Sequence, residues 1–291
     1  MSSLGELIEF VRHQLSGLDA TSDAVAALTE PLGDMDKIVY VDDTGTGAGR
    51  GIAEIDLEVI RIKGVNGQYA TLNLYPFGRG YRGTTAVAHD VGAEIRFNPA
   101  WPASTIAREI NGVLTEIYPT VYGVAHYDTV FPNGGAEIVV PTGAVGVISV
   151  WIRDAAGTGW TREDRWDYNS DGSGLRVGSP VPANQVRVVY ATRPSLFDLT
   201  GAMSQDYETS TGLDPRTSDL LALGVASRLG IFLDVAKLPF VVAASADANE
   251  VRAAGSGGNA AKTLHALFQA RLAQEAAVLT REHPIRIHRT H

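Results

Sequence analysis

Gly51-Ile-Ala-Glu-Ile-Asp-Leu-Glu-Val-Ile-Arg-Ile62 is rich in β-branched residues and alternates over part of its length, the pattern of strands rather than of a helix. Lys37-Ile-Val-Tyr-Val41 before it and Ala70-Thr-Leu-Asn-Leu74 after it read the same way, so a small β-domain is expected here. Asn66-Gly67 stands just before the last of these runs and signals a two-residue type I′ hairpin. Residues 92–97 give one more short strand. A helix is expected on each side of this β-rich stretch. Leu4, Leu7, Ile8, Val11 and Leu15 recur with helical spacing, and Gly17 can supply the stop. Downstream, Pro102 suits a first helical turn, and Ile106, Ile110, Val113, Leu114 and Ile117 form an apolar stripe that Pro119 ends.

The pattern changes at about residue 122. Short strands are expected at 124–130, 136–140, 145–153, 160–162, 174–177 and 185–191. They are separated by turn-forming runs such as Pro132-Asn-Gly-Gly, Pro141-Thr-Gly and Asn169-Ser-Asp-Gly-Ser-Gly. Strands at such spacing are the signature of a β-sandwich or jelly-roll-like module. From Arg193 onward the pattern is helical. Asp214-Pro215 reads as an N-cap and first-turn proline opening a helix through about Val235. Gly255-Ser-Gly-Gly258 reads as a linker before a second long helix that reaches Glu282, and Pro284 begins an extended, alternating tail. The expected architecture is α+β and multidomain. Residues 1–121 hold an N-terminal helix and a small β-domain with a closing helix, and residues 122–193 a β-sandwich-like module. A helical domain follows at 194–282, and an extended C-terminal tail at 283–291.

Composition excludes several classes. With 45% hydrophobic and 20% charged residues, the 291-residue chain is too apolar to be disordered, and its length suits two or three domains. It has no cysteine, hence no disulfide framework and no zinc ribbon. The opening MSSLGELIEF lacks a basic and an apolar region, so no signal peptide is expected, and no membrane span either. The net charge of −9 argues against wholesale coating of nucleic acid. It hides an asymmetry. From Asn259 to the end, Lys262, Arg271, Arg281, Arg286 and Arg289 outnumber Glu275 and Glu282, giving +3 and leaving −12 on the rest. Four histidines, His265, His283, His288 and His291, lie in the same basic segment.

The motifs that resemble chemistry are incomplete. Gly45-Thr-Gly-Ala-Gly-Arg-Gly51 has neither phosphate-loop nor dinucleotide spacing, and a strand follows it where an anion-binding helix is required. Asp167-Tyr-Asn-Ser-Asp171-Gly172 matches the first half of a calcium loop, but its twelfth position is Gly178 instead of a bidentate glutamate, so a polar turn is the simpler reading. His126-Tyr-Asp128 and the pair His288/His291 lack the partners of a metal site. Glu163/Asp164 reads as a solvated turn, and no nucleophile elbow is present. No catalysis, no cofactor and no metal are expected. Arg79-Gly-Tyr-Arg-Gly-Thr-Thr-Ala-Val-Ala-His89 is the densest unusual stretch. Its glycines suit a tight irregular loop, and Arg79, Tyr81, Arg82 and His89 are candidates for partner contact or for holding the loop.

The run RGYRGTTAVAHDVGAEI, followed by NPAWP and a helix ending in IYP, resembles a recurrent pattern in neck and tail proteins of tailed bacteriophages. The strand pair around IAEIDLEVIRI fits the same pattern as its Glu-Ile-Gly-x-Glu hairpin, with Asp56 standing where glycine is usual. The helices containing Asp219-Leu-Leu-Ala-Leu-Gly and Phe268-Gln-Ala-Arg-Leu resemble the helical part of head-to-tail connector adaptors, closest to those of long-tailed phages of actinobacteria. The first and last thirds carry the likeness, and the middle third carries it weakly.

The resemblance implies a virion structural protein assembled in the host cytoplasm. Such adaptors form a homo-oligomeric ring, usually twelve-fold, below the portal protein. They hand the DNA channel to a stopper or tail-completion protein, and genomic DNA passes without sequence-specific binding. The C-terminal extension of such adaptors commonly inserts into the portal, which makes Pro284, Ile285, Arg286, Ile287, His288 and Arg289 the expected docking segment. Its alternation suits addition to a partner's sheet edge, and such a tail is expected to gain little by lying on its own domain. An acidic channel wall would repel the duplex and let it slide. The alternative is a tail-tip or baseplate protein whose β-module binds carbohydrate, with Trp151, Trp160 and Trp166 as the stacking candidates and at least two of them expected in the core.

Overall fold

The computed structural model describes residues 3–16, 24–44, 48–131, 137–153, 157, 159–169, 174–178, 184–200, 202–241 and 256–285. The fold is mixed α+β and divides into two compact units, neither continuous in sequence. One comprises residues 1–113, 196–207 and 218–268, the other 114–195, 208–217 and 269–291.

The first unit is built on six antiparallel strands: β1 (Ala24–Ala27), β2 (Ile38–Tyr40), β3 (Gly51–Ile55), β4 (Glu58–Asn66), β5 (Thr71–Leu74) and β6 (Glu94–Phe97). Their order is β1-β6-β3-β4-β5-β2. The sheet curls into a half-barrel until its edge strands meet through a Leu28–Val41 bridge, and Asp42 N donates to Ala27 O at 3.0 Å. Curling removes much of the exposed edge and wraps the sheet around one apolar cluster that includes Leu28, Val41, Ile55, Ile60, Leu72 and Ile95. Helix α1 (Leu4–Ser16) has the expected face: Leu4, Leu7, Ile8, Val11 and Leu15 are all buried, and the helix packs on α4 (Ser218–Val241).

One local expectation is met and one changes. The stretch 51–62 is a hairpin whose turn is Asp56-Leu57, with Asp56 at φ 52°. Asn66-Gly67 does not form a two-residue I′ turn, because β4 and β5 are joined by residues 67–70 and the left-handed residue is Ala70 at φ 47°. Tyr69 N donates to Asn66 O, and Asn66 Oδ1 accepts from Gln68 N at 3.2 Å, so the asparagine side chain organises a longer turn.

Helix α2 (Ala103–Ile117) follows Pro102 as expected, and Ile106, Ile110, Val113, Leu114 and Ile117 are buried. The strands of the second unit then form two antiparallel sheets. β7 (Gly123–Val130), β9 (Ala144–Arg153), β10 (Trp160–Glu163) and β13 (Gln185–Thr192) give the order β10-β9-β13-β7. β8 (Glu137–Val139), β11 (Trp166–Asn169) and β12 (Gly174–Val177) give β11-β12-β8. Residues of both sheets, among them Val147, Val150, Val186 and Val188 from one and Ile138, Trp166, Leu175 and Val177 from the other, share one apolar cluster. Strand β11 was not expected, because its Asp167 and Asn169 give it the composition of a turn, yet Trp166 and Tyr168 supply the alternating inward side chains.

The helical segments also differ in their ends. Asp214-Pro215 opens a 3₁₀ turn, Pro215–Thr217, with Arg216 N donating to Asp214 Oδ1 at 2.9 Å, and α4 runs to Val241. α3 (Tyr207–Thr211) is a single short turn, and α5 (Ser256–Glu282) already contains Gly257 and Gly258, which had read as linker. Among the described residues, no helix is long and apolar enough to cross a membrane.

Candidate functional site

The β3–β4 hairpin carries two carboxylates that its apolar surroundings bury, Glu54 and Glu58. A buried carboxylate persists only with strong donors. Glu58 has several. Arg79 donates Nε at 2.7 Å and Nη2 at 2.9 Å in a two-toothed pair, and the backbone N–H groups of Gly80 and Val87 donate at 2.8 and 3.2 Å. Arg79 also donates to Val87 O at 2.6 Å and to Gly33 O. The loop from 78 to 89 is thus folded around one carboxylate. Gly80 permits this with φ 57°, where an added Cβ would lie 2.8 Å from Thr84 O.

His89 completes the network. Its backbone pairs with Leu32 in both directions, its Nε2 lies 3.0 Å from Glu58 Oε2, and its Nδ1 lies 2.9 Å from Asp56 Oδ2. Two carboxylate acceptors call for two N–H donors, an arrangement that favours the imidazolium form. Burial would lower its pKa, but the hydrogen bonds and charges of Asp56 and Glu58 prevail and raise it. Burial likewise pushes Glu58 up, while hydrogen bonds from Arg79, His89 and Gly80 and the charge of Arg79 hold it at about 2. Two cations and two anions balance.

A consequence is measurable. A raised histidine contributes stability that is present below its ordinary 6.5 and lost as pH rises through its raised value. Asp56→Asn keeps a residue tolerant of positive φ but removes one anion. The His89 titration, read by NMR of the ring protons, is expected to move down toward its ordinary value, and the alkaline loss of stability to begin at lower pH. An unmoved titration would show that Asp56 does not hold the charge.

Glu54 performs a parallel task with the opposite electrostatics. It accepts from Arg12 of α1 and from Ala103 N at 2.7 Å, capping the first turn of α2. Its pKa is raised, because burial outweighs Arg12, the Ala103 hydrogen bond and Arg96. The segments 51–62, 78–89 and 101–103 therefore meet through two side chains of one hairpin.

Of the other candidates in this loop, Tyr81 is half-buried with the Arg61 guanidinium 5.3 Å from its ring, and Arg82 is exposed at φ 58°, its carbonyl accepting from Arg108 at 3.3 Å. Of the expected docking segment, only Pro284 and Ile285 are described. Pro284 is exposed, whereas a Cβ on Gly146 would lie 2.6 Å from Ile285 Cγ2, and His283 O accepts from Tyr122 at 2.7 Å. The root of the tail thus lies on its own unit, contrary to the expectation for Ile285. Arg286, Ile287, His288 and Arg289 lie outside the described residues, as do Asp171 and Gly172. The described part of the calcium-like loop is hairpin, with Asp167 opposite Arg176 and Asn169 opposite Gly174. Among the described residues, no group of three or more histidines and carboxylates could hold a metal.

A second constellation lies on the four-stranded sheet, on the face opposite the shared core. The register aligns Arg162, Trp151, Arg187 and Asp128 in one row across β10, β9, β13 and β7. Trp160 lies opposite Arg153 in the next row, and His126 opposite Val189 in the row on the other side. Arg187 holds Asp128 by two bonds of 2.7 Å and lies 4.6 Å from the Trp160 ring centroid. Trp151 donates to Ser149 Oγ at 3.0 Å. A cleft of about 410 Å³ is lined by Val124, Ala125, His126, Trp151, Trp160, Arg187 and Val189. Of the three tryptophans only Trp166 enters the core, whereas Trp151 and Trp160 are half-buried on this outer face.

The sequence places Glu54 and Glu58 on the two glutamates of the Glu-Ile-Gly-x-Glu pattern but assigns them no role, although each is a charge flanked by apolar neighbours in a β-branched run. The Arg187–Asp128 pair was missed, because only the strand register brings it together. No protein-family model and no curated protein matches this chain.

Proposed function

We propose that the chain is a non-catalytic head-to-tail connector adaptor, a subunit of a ring below a portal protein that passes DNA to a stopper or tail-completion ring. The observation that carries this reading is the Glu54/Glu58 hairpin. Of the stretches that carry the resemblance, IAEIDLEVIRI, RGYRGTTAVAH and NPAWP are separate in sequence but fastened to one another through these two carboxylates, the last through Ala103 just after it. Their meeting supports reading the likeness as one cooperating structural unit. The left-handed Asp56 at the place where glycine is usual supports the same alignment. The β-module is read as a small sandwich, and the basic segment beyond Ile285 as the portal-docking tail on an otherwise acidic subunit.

The test is a truncation. It belongs after Ile285 rather than after Glu282, so that the His283 and Ile285 contacts remain. The shortened protein is expected to melt like the full chain and to lose attachment to purified portal rings. Undiminished attachment would refute the docking tail. A second reading, a tail-tip or baseplate protein with a carbohydrate-binding module, is favoured by one observation, the adjacent Trp151 and Trp160 on an outer sheet face.

A further inference from the structure

We infer that the outer face of the four-stranded sheet is a binding site for a neutral oligosaccharide, with Trp151 as the stacking platform and the Arg187–Asp128 pair as the hydroxyl-reading edge. This deepens the second reading and does not depend on the first. The cleft has the size and make-up of a ligand site, mostly apolar with a few convergent polar groups. A pyranose presents the matching chemistry, an apolar C–H face for an indole and hydroxyls around its rim.

The tryptophans have different tasks. Trp160 is engaged by two guanidinium groups, Arg187 at 4.6 Å and Arg153 at 6.0 Å from its ring centroid, so its indole braces arginine side chains. Arg153 is itself fixed by Gln185 Oε1 at 2.6 Å and by Gly157 O at 2.9 Å. Among the described residues, Trp151 is tied at its edge by Nε1 to Ser149, which fixes the ring while leaving it half-exposed between two arginine positions. Val124 and Val189 on the neighbouring strands add short apolar side chains to the lining of the cleft.

The Arg187–Asp128 pair bears on the ligand class. Arg187 is paired through both teeth to Asp128, and that hydrogen bond holds Asp128 below the usual carboxylate range. At Arg187 an anionic ligand would have to displace this carboxylate or lie against it. A neutral polyol can donate to Asp128 and accept from Arg187 without breaking the pair. His126 at the exposed rim adds a further donor or acceptor.

The experiment is a titration of the full-length chain with short gluco-, manno-, galacto- and N-acetylglucosamine oligosaccharides, read by NMR of the indole N–H signals and by calorimetry. At least one is expected to shift the Trp151 and Trp160 signals, and Trp151→Ala to weaken it by about tenfold or more. Trp151→Phe should recover most of the affinity, and His126→Ala, at an exposed position, should weaken binding without affecting folding. Raising salt from about 50 to about 500 mM should change the affinity less than about twofold, because no net charge is neutralised. No indole shift with any of these sugars at about 10 mM, a level that detects even weak binding, would overturn the proposal. So would binding indifferent to both Trp151→Ala and His126→Ala, or a preference for single-stranded DNA or an acidic glycan that collapses with salt. Failure here leaves the portal-attachment result untouched, and failure of attachment leaves this site untouched.

Discussion

Glu58→Gln is expected to destabilise the half-barrel unit by about 3–5 kcal/mol, the loss typical of removing one partner of a buried charge pair. The carboxylate is fully enclosed and Arg79, its partner, is nearly so, with only 9% of its side chain exposed. Glutamine keeps the shape but has one acceptor oxygen in place of two, and its NH₂ would face donors. Arg79, the Gly80 and Val87 N–H groups and the His89 ring would then compete for that oxygen. The effect should appear as a fall in Tm on the order of 10 °C and as faster amide exchange in β3, β4 and the 78–89 loop. Loss below about 1 kcal/mol would mean that the network contributes little beyond shape.

The same residue fixes a pH window. Glu58 titrates at about 2 in the folded chain against 4.5 ordinarily, so its contribution is fully present above about pH 4.5 and is lost as pH falls toward 2. The difference corresponds to about 3 kcal/mol. In Glu58→Gln this acid-side slope should be absent, which separates the electrostatic effect from a general loss of packing. Glu54 supplies the internal contrast. Its pKa is raised, so ionising it costs more in the folded chain than in the unfolded one. Glu54→Gln still offers an oxygen to Ala103 N, and Arg12 still has Glu9 and Trp101 O as acceptors. The smaller loss is therefore expected at Glu54, although both glutamates are buried in the same hairpin.

How much of this was legible in the sequence follows from the range of the interactions. The α1 face, the α2 stripe and six strands of the second unit could be read because periodicity and turn residues act over a few positions. The half-barrel closure could not, since the Leu28–Val41 bridge depends on six strands curling together. Within the loop, Arg79 and His89 stood out as chemistry-bearing residues and Glu58 as part of the hairpin pattern, but that Glu58 is their shared anion depends on contacts 21 and 31 positions apart. β11 was missed because alternation over four residues is too short to outweigh two turn-forming side chains. The tail illustrates another limit. Alternation at Ile285 indicated an extended segment, but whether its apolar side meets a partner or Gly146 of its own sheet is a tertiary fact.

The tryptophans carry the last and sharpest distinction, because Trp166 faces the cluster shared by the two sheets whereas Trp151 lies on the outer face of the four-stranded one. Trp166 is 6% exposed and packs in the cluster with Val147, Val150, Leu175, Val177, Val186 and Val188, residues of both sheets. Truncating an aromatic of this size in a core costs about 3–5 kcal/mol, from lost burial and from a cavity that the strands cannot close. Trp166→Ala is therefore expected to expose the amides of β9, β12 and β13 to rapid exchange and to abolish the near-ultraviolet signature of a packed module. Trp151→Ala removes a side chain that already faces the cleft and leaves the shared cluster intact, so amide exchange in β12 should be unchanged. If both substitutions loosened β12 equally, Trp151 would be a second core residue, and its placement as a ligand platform would fail with it. Retained protection in Trp151→Ala, with β12 opened by Trp166→Ala, would separate the tryptophan that holds the sheets together from the one left facing the cleft.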